Sequence, residues 1–334
     1  MGTRGRWRSV QLDSFVADVQ EAARAGRFDI VHAMLPVPGA DVYQLRGGTV
    51  PGQRMAGRRR RGFLAGLVAG LCEPFNRHRA RMARLEWQVV ADRQVMCLPV
   101  SGMVAGELAG YYDRLERVRV VYNGVEVPAA DSAWRSQWRL RRREELGIGP
   151  EAVVFLTVAN NFLLKGVPEA ICALSGWYDR RGGGRRADID VRLVVIGNGD
   201  MELAKRWAGI HGVADKVHVL GYVRDIFTWY AAADAVMLLS WYDPCSRVVL
   251  EATRWGVPSI TTRFNGAAEV LAGGAGLLVD SPTDVDYVAA AMDALTDPRC
   301  REACSAACAR VADELSIERH VDRLLAAYAE LPER

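Results

Sequence analysis

The sequence predicts an α/β protein built around a parallel, doubly wound sheet. From residue 153 onward, short apolar runs alternate with segments of helical spacing, which is the pattern of a parallel sheet with crossover helices. The chain has 334 residues, enough for two domains of ordinary size with a core in each. Half of the residues are hydrophobic and a quarter are charged, which indicates a globular protein and not a disordered one.

The N-terminal half shows fewer regular elements. Residues 11–26 have helical spacing and end at a glycine, and residues 29–34 form a strand-like apolar run. An arginine-rich segment follows. The pattern then predicts a strand at 95–100, a helix at 103–112 and a strand at 118–122. Charged residues 131–145, followed by a Gly-Ile-Gly-Pro break, are expected to form a linker.

The C-terminal half alternates cleanly. Helices are predicted at 168–180 and 201–211, with others between the later strands, and a final helix at 317–331. The predicted strands are 153–158, 191–196, 217–220, 235–239, 257–261 and 277–279.

Composition narrows the function classes. A net charge of +3 is too small to indicate nucleic-acid binding. The first residues lack the apolar core of a secretory signal, and no apolar run approaches the roughly 20 residues of a membrane span. Seven cysteines without paired spacing suit a reducing compartment, so a cytoplasmic location is expected.

The most informative stretch is residues 241–251, Trp-Tyr-Asp-Pro-Cys-Ser-Arg-Val-Val-Leu-Glu. It continues through Gly-Val-Pro at 256–258 to Asn-Gly-Ala-Ala-Glu at 265–269. Asp243 follows a predicted strand, and Glu251 lies on the helix that comes next. Open α/β sheets bind ligands at the carboxyl ends of their strands, where a helix N-terminus offers N–H groups to a phosphate.

This pattern of two acids eight positions apart, with the motifs after it, resembles the signature of the retaining GT4 family of GT-B glycosyltransferases. Its Tyr-Asp-Pro-Cys-Ser form is similar to the branch that includes lipopolysaccharide-core glucosyltransferases. The resemblance implies two Rossmann-like domains facing a cleft. Its domains would be residues 1–147 on the acceptor side, 148–316 on the nucleotide-sugar side, and a helix at 317–334 crossing back. Because family members carry further elements before the 29–34 strand, the N-terminal domain is expected to be incomplete.

The resemblance also implies the residues that hold the donor. Glu251 would accept hydrogen bonds from the ribose hydroxyls, and Asp243 would contact the transferred sugar. The amides of Ser246, Arg247 and Val248 would hold the diphosphate.

A second loop, Asn-Asn-Phe-Leu-Leu-Lys-Gly at 160–166, would bring Lys165 and Gly166 to the same diphosphate. A compact cation there suits an oxygen that gains negative charge as the leaving group departs. Asn160 stands where the family has an arginine. Gly197 and Gly199, in a strand-to-helix turn, and Val223, beside the base, complete the implied donor site. The catalytic residues would be Asp243, Glu251 and Lys165, with no metal or other cofactor.

Other candidate residues have simpler explanations. His32 is expected to be a core or cleft-wall residue, because Met34 occupies the position at which relatives carry a second histidine. Asp-x-Asp pairs at 188–190 and 284–286 lack a partner ligand and are expected in solvated turns. Cys300, Cys304 and Cys308 share one helix face without a fourth ligand, so small buried side chains are expected there and not a zinc site.

An arginine-rich segment at residues 54–84 leaves two interpretations open. Four arginines at 58–61 precede a short apolar run at 62–71, and four more follow at 77–84. Such a segment fits an interfacial element that binds an anionic membrane surface, which would place the protein on the inner face of the cytoplasmic membrane. It fits a solvated basic loop with one buried helix equally well.

The resemblance implies a metal-independent retaining enzyme that transfers a hexose, glucose from UDP-glucose, to a lipid-linked or polysaccharide acceptor such as lipopolysaccharide core. Two alternatives remain. One is a GT-B nucleotide-sugar epimerase. The other is an inactive donor-binding protein or a truncated remnant, because Asp243, Asn160 and Met34 replace the residues usual at those positions.

Overall fold

The structure is a computed structural model and describes residues 7–26, 28–62, 76–180 and 189–332. The chain divides into two compact units. The first comprises Met1–Asn123, Tyr242–Cys245 and His320–Arg334, and the second comprises Gly124–Trp241 and Ser246–Arg319.

The first unit contains a small parallel sheet in the order β1-β2-β3. Its elements are α1 (Arg8–Arg24), β1 (His32–Ala33), β2 (Val42–Leu45), α2 (Val50–Arg61), α3 (Arg77–Ala91), β3 (Met96–Pro99) and α4 (Gly102–Tyr112). The predicted strand at 118–122 is not a strand, since only an isolated bridge joins Val118 to Cys97. The sequence had not predicted β2, α2 and α3.

The second unit contains the larger sheet. Its strands are β4 (Val153–Val158), β5 (Val191–Ile196), β6 (Val217–Leu220), β7 (Ala235–Leu238), β8 (Ser259–Thr262) and β9 (Gly276–Val279). Its helices are α5 (Ser132–Glu145), α6 (Val167–Asp179), α7 (Met201–Ile210), α8 (Phe227–Ala232), α9 (Arg247–Trp255), α10 (Val285–Leu295) and α11 (Pro298–Val311), and α12 (Ile317–Tyr328) begins in it.

All pairings in the six-stranded sheet are parallel, in the order β6-β5-β4-β7-β8-β9. Strands β5 and β6 therefore lie on one side of β4, and strands β7, β8 and β9 lie on the other side. The predicted doubly wound sheet is confirmed. Its topological switch point lies between β4 and β7, and this is where such sheets bind ligands.

Each unit has its own apolar core. In the second unit Phe155, Ile171, Leu174 and Leu193 are all fully buried, so the inner strands of the sheet are covered by helices. In the first unit Val42, Met96 and Leu98 pack against Val121, with Ala327 of α12 completing the same cluster.

Helix α5 occupies the segment that was predicted to be a linker, and that prediction was wrong. Three of its arginines are anchored by contacts with the rest of the second unit. Arg143 and Asp234 are both buried and join at 2.7 Å, and Arg139 reaches the other oxygen of Asp234 at 2.7 Å. Arg135 donates to the carbonyl of Trp255 at 2.8 Å, at the C-terminus of α9, where a cation is favourable.

Within the described ranges, no helix combines the length and the apolar character that crossing a lipid bilayer requires.

Candidate functional site

The loops after β4 and β7 meet at the switch point. Gly166 follows β4 with φ of +72°, and a Cβ there would lie 2.1 Å from the carbonyl oxygen of Leu239, just past β7. The Trp241 amide donates to the carbonyl of Leu164 at 2.9 Å, and its indole donates to Glu169 on α6 at 3.1 Å. The backbone around Lys165 is therefore held directly against the segment that leads into α9.

The loop after β5 lies against the same region. A Cβ at Gly197, which has φ of +133°, would come within 1.9 Å of the Ala159 carbonyl oxygen. A Cβ at Gly199 would lie 2.2 Å from the ring of Phe162. The amide of Asn198 donates to Asn160 Oδ1 at 3.4 Å. The structure thus brings Asn160, Gly197 and Gly199 together, and both glycines are needed for this close approach.

Further along the sheet, the amide of Gly197 donates to the carbonyl of Gly221 at 3.2 Å, which ties the β5 turn to the end of β6. Val223 is partly exposed two residues beyond it. Asp200 caps α7 by accepting from the Leu203 amide at 2.9 Å.

Glu251 lies in the second turn of α9 with its side chain 16% exposed. Its Oε2 accepts from the hydroxyl of Tyr230 at 3.2 Å, and its Oε1 lies 3.5 Å from Arg247 Nη2. Burial raises the pKa of Glu251, while the Arg247 charge and the Tyr230 hydrogen bond both lower it. Tyr230 lies on α8 and is fully buried, so one carboxylate oxygen is held by a rigid neighbour.

The start of α9 is held by Asn265, which the sequence analysis had not assigned a role. The amide of Ser246 donates to Asn265 Oδ1 at 3.2 Å, so it is already occupied. Ser246 makes no capping bond with its own side chain. The amides of the first helical turn have no intrahelical acceptor in any α-helix. Arg247 and Val248 supply two of them here.

Asp243 belongs to the first unit and is 8% exposed. The residues on either side of it are fixed by buried side chains of that unit. Tyr242 donates its hydroxyl to Glu107 at 2.8 Å, and the Pro244 carbonyl accepts from Ser101 at 2.6 Å. The Cys245 carbonyl accepts from Asn123 at 2.9 Å. These contacts could not be predicted from the sequence, because they join positions more than a hundred residues apart.

Other candidate and charged residues have contacts within their own unit. His32 contacts the hydroxyl of Tyr328 through Nδ1, within the first unit. Lys205 and Lys216 pair with nearby carboxylates, Glu202 and Asp190 respectively.

Asp284 caps α10 and Asp190 pairs with Arg192, whereas Asp188 lies outside the described residues. Cys304 and Cys308 are buried thiols, and Cys300 is partly exposed. Among the residues that the structure describes, no three His, Cys, Asp or Glu side chains are grouped so that they could hold a metal ion.

Solved structures with the same architecture include a glycosyltransferase. The chain is similar to WaaG, a glycosyltransferase involved in lipopolysaccharide biosynthesis, with a TM-score of 0.78 and 21% identity over 98% of this chain and 84% of that one. Anabaena Alr3699/HepE, solved in complex with UDP and glucose, gives a TM-score of 0.64 and 18% identity over 96% and 82%. At such identities the likeness establishes the fold, which is GT-B.

Sequence comparisons give a partial family match. Residues 162–297 match the family model described as "Glycosyl transferases group 1". D-inositol 3-phosphate glycosyltransferase of Pseudarthrobacter chlorophenolicus is 25% identical over 300 residues, 86% of this chain and 67% of that protein. The Paenarthrobacter aurescens protein of the same name is 28% identical over 252 residues, 73% and 59%. The chain thus spans about three fifths to two thirds of the length of these two relatives.

Proposed function

We propose that the protein is a retaining glycosyltransferase that transfers a hexose, glucose from UDP-glucose, to a lipid-linked or polysaccharide acceptor. The observation that carries this proposal is Glu251. It is a largely buried carboxylate one turn into α9, and this helix begins at the switch point beside the Lys165 loop. Carboxylate, helix N-terminus and lysine are the three groups that ribose and diphosphate require.

Each group has one role in donor binding. Glu251 accepts hydrogen bonds from the two ribose hydroxyls, and Tyr230 keeps one of its oxygens in place. Lys165 and the amides of Arg247 and Val248 bind the diphosphate. As the bond to the sugar breaks, negative charge grows on the diphosphate, and a fixed cation beside a helix N-terminus stabilises that charge more than the ground state.

The sugar contact and the stereochemistry are part of the same proposal. Asp243 is proposed to contact hydroxyls of the transferred sugar. The acceptor hydroxyl attacks from the leaving-group face, and the diphosphate takes its proton, so the anomeric configuration is retained. Support for the donor comes from Alr3699/HepE, which has the same fold and was solved with UDP-glucose.

The acceptor is proposed from surface chemistry. Helix α2 ends in Arg58, Arg59, Arg60 and Arg61, where cations complement the helix dipole. On α3, the exposed residues Arg77 and Arg84 share a face with Trp87, which is 63% exposed. Arginine with an exposed indole is the chemistry that anionic lipid headgroups attract, and it favours a lipid-linked acceptor at a membrane surface. Residues 63–75, which include the apolar run, lie outside the described residues.

Donor binding is tested by thermal shift with UDP. A ligand that binds only the native state raises the unfolding temperature, by an amount equivalent to about 2.7 kcal/mol at a hundredfold excess over Kd. Lys165→Ala and Glu251→Ala should abolish this shift. Lys205→Ala and Glu202→Ala remove the same residue types from an exposed pair on α7 and should retain it. Full shifts in both site variants would overturn the assignment. An inactive donor-binding protein would show the shift but release no UDP from UDP-glucose when acceptor is supplied.

A further inference from the structure

A buried hydrogen-bond chain runs beneath the N-terminus of α9 and ends at Asn265. Thr261 Oγ1 on β8 donates to the carbonyl of Leu238 on β7 at 2.8 Å, and accepts from Asn265 Nδ2 at 3.0 Å. Asn265 Oδ1 then accepts from the amides of Ser246 at 3.2 Å and Ala267 at 3.1 Å. Both Thr261 and Asn265 are at most 1% exposed.

The direction of every bond in this chain is fixed. The Thr261 proton is given to a carbonyl, so its oxygen can only accept from the side chain above it. That side chain must therefore present a donor to Thr261 and an acceptor to Ser246. A carboxamide satisfies both demands, whereas a carboxylate would oppose one of its oxygens to the Thr261 oxygen. A buried polar group left facing another acceptor is costly.

We propose that Asn265 is a positioning residue for the diphosphate of the donor, acting through the first turn of α9. This inference rests on the proposed function and adds a residue to it. By binding the Ser246 amide, Asn265 fixes where α9 begins and aims the amides of Arg247 and Val248 outward. It does so with a neutral group. An anion at this point would partly cancel the positive potential that the helix N-terminus offers to a phosphate.

The inference predicts that a change at Asn265 lowers the affinity for the diphosphate part of the donor and not for the nucleoside part. Glu251, which would bind ribose, lies one turn further along and is held by Tyr230 of α8, independently of Asn265. Changing Asn265 should therefore weaken ligands that carry a diphosphate and leave uridine unaffected. A purely structural residue would weaken both ligands to the same extent.

The experiment compares UDP, inorganic pyrophosphate and uridine by isothermal titration calorimetry. Asn265→Asp keeps the shape of the side chain and should raise the Kd of UDP and of pyrophosphate by about tenfold or more, with uridine changed by less than about twofold. Thr261→Val breaks the chain one step below without adding charge. It should raise the UDP Kd by about fivefold, the value of one lost hydrogen bond.

The matched control is Asn76→Asp. Asn76 also accepts from backbone at a helix start, from the Arg79 amide of α3, so this variant makes the same chemical change in the first unit. It should leave all three affinities unchanged. Equal losses for uridine and UDP in the Asn265 and Thr261 variants, or no loss in either, would overturn the inference. Failure of the unmodified protein to bind UDP would instead overturn the donor site itself.

Discussion

Two neighbours of Glu251, Arg247 and Tyr230, both favour its charged form. Burial raises the pKa of this carboxyl, and both the Arg247 guanidinium and the Tyr230 hydroxyl lower it again. The carboxylate form is the one that can accept both hydrogen bonds of a ribose diol. Donor binding should therefore weaken as the pH falls through the raised pKa of Glu251, because protonation removes one acceptor.

The variant Tyr230→Phe tests whether the Tyr230 hydroxyl lowers the pKa of Glu251. It removes a hydrogen bond that favours the charged form while keeping the ring in the core, so the pKa of Glu251 should rise further. Uridine affinity should then fall at a higher pH than in the unmodified protein. Uridine is the right probe because it has no phosphate to titrate in this range. The measurement is the uridine Kd from about pH 4.5 to 8. Coincident profiles for the two proteins would show that Tyr230 does not act on Glu251.

At the residue scale, the sequence predicted the residues proposed to bind the donor but not the residues that hold them. Glu251, Lys165 and Gly166 stand in a motif with fixed spacing, so they could be found. Tyr230 and Asn265 could not, since their contribution depends on which strands and helices become neighbours. Ser246 shows the same limit, because its amide is taken by a side chain that lies 19 positions away.

Among the elements, α5 shows how charge composition can mislead. Its arginines resemble those of a solvated linker, yet Arg143 and its partner Asp234 are both buried. They are 91 positions apart. The inner strands β4, β5 and β7 were predictable for the opposite reason: each is a short, largely apolar run that is buried almost throughout. The strand β2 escaped prediction because only its four residues are regular and a glutamine interrupts them.

Two variants on α5 compare the loss of a buried arginine with the loss of an exposed one. Arg143→Ala leaves Asp234 buried with one arginine fewer and should destabilise the second unit by about 3 kcal/mol. For a unit of this size, that loss should lower its calorimetric midpoint by roughly 6–12 °C.

The control is Arg141→Ala on the same helix. Arg141 is 62% exposed, pairs with Glu145 at 3.4 Å and lies 5.0 Å from the centroid of the Trp138 ring, so its loss should cost at most about 1 kcal/mol. Similar midpoints for the two variants would mean that α5 is not anchored through Arg143.

For the molecule as a whole, a vesicle-binding experiment tests whether the arginine-rich segment binds an anionic membrane surface. Replacing Arg58–Arg61 with serine should weaken co-sedimentation with anionic vesicles, because each basic residue near such a surface contributes on the order of 1 kcal/mol. The attraction should fall at high salt, since charges are screened beyond roughly 8–10 Å at physiological ionic strength.

A control variant changes the net charge equally with exposed arginines of the second unit. Its replaced residues are Arg141, Arg206, Arg299 and Arg310. This variant should bind anionic vesicles as the unmodified protein does, and neutral vesicles should bind none of the three. Equal weakening by both sets of substitutions would reduce the effect to net charge, and the segment would then be a solvated basic loop.

The core of the first unit has a consequence for the order of folding. Val42, Met96 and Leu98 pack with Ala327, and Leu324 and Tyr328 lie against the same cluster. On the ribosome, β2 and β3 emerge more than two hundred residues before the helix that completes their core. The second unit needs nothing beyond Arg319. This core of the first unit can therefore be completed only after the later half of the chain has been synthesised.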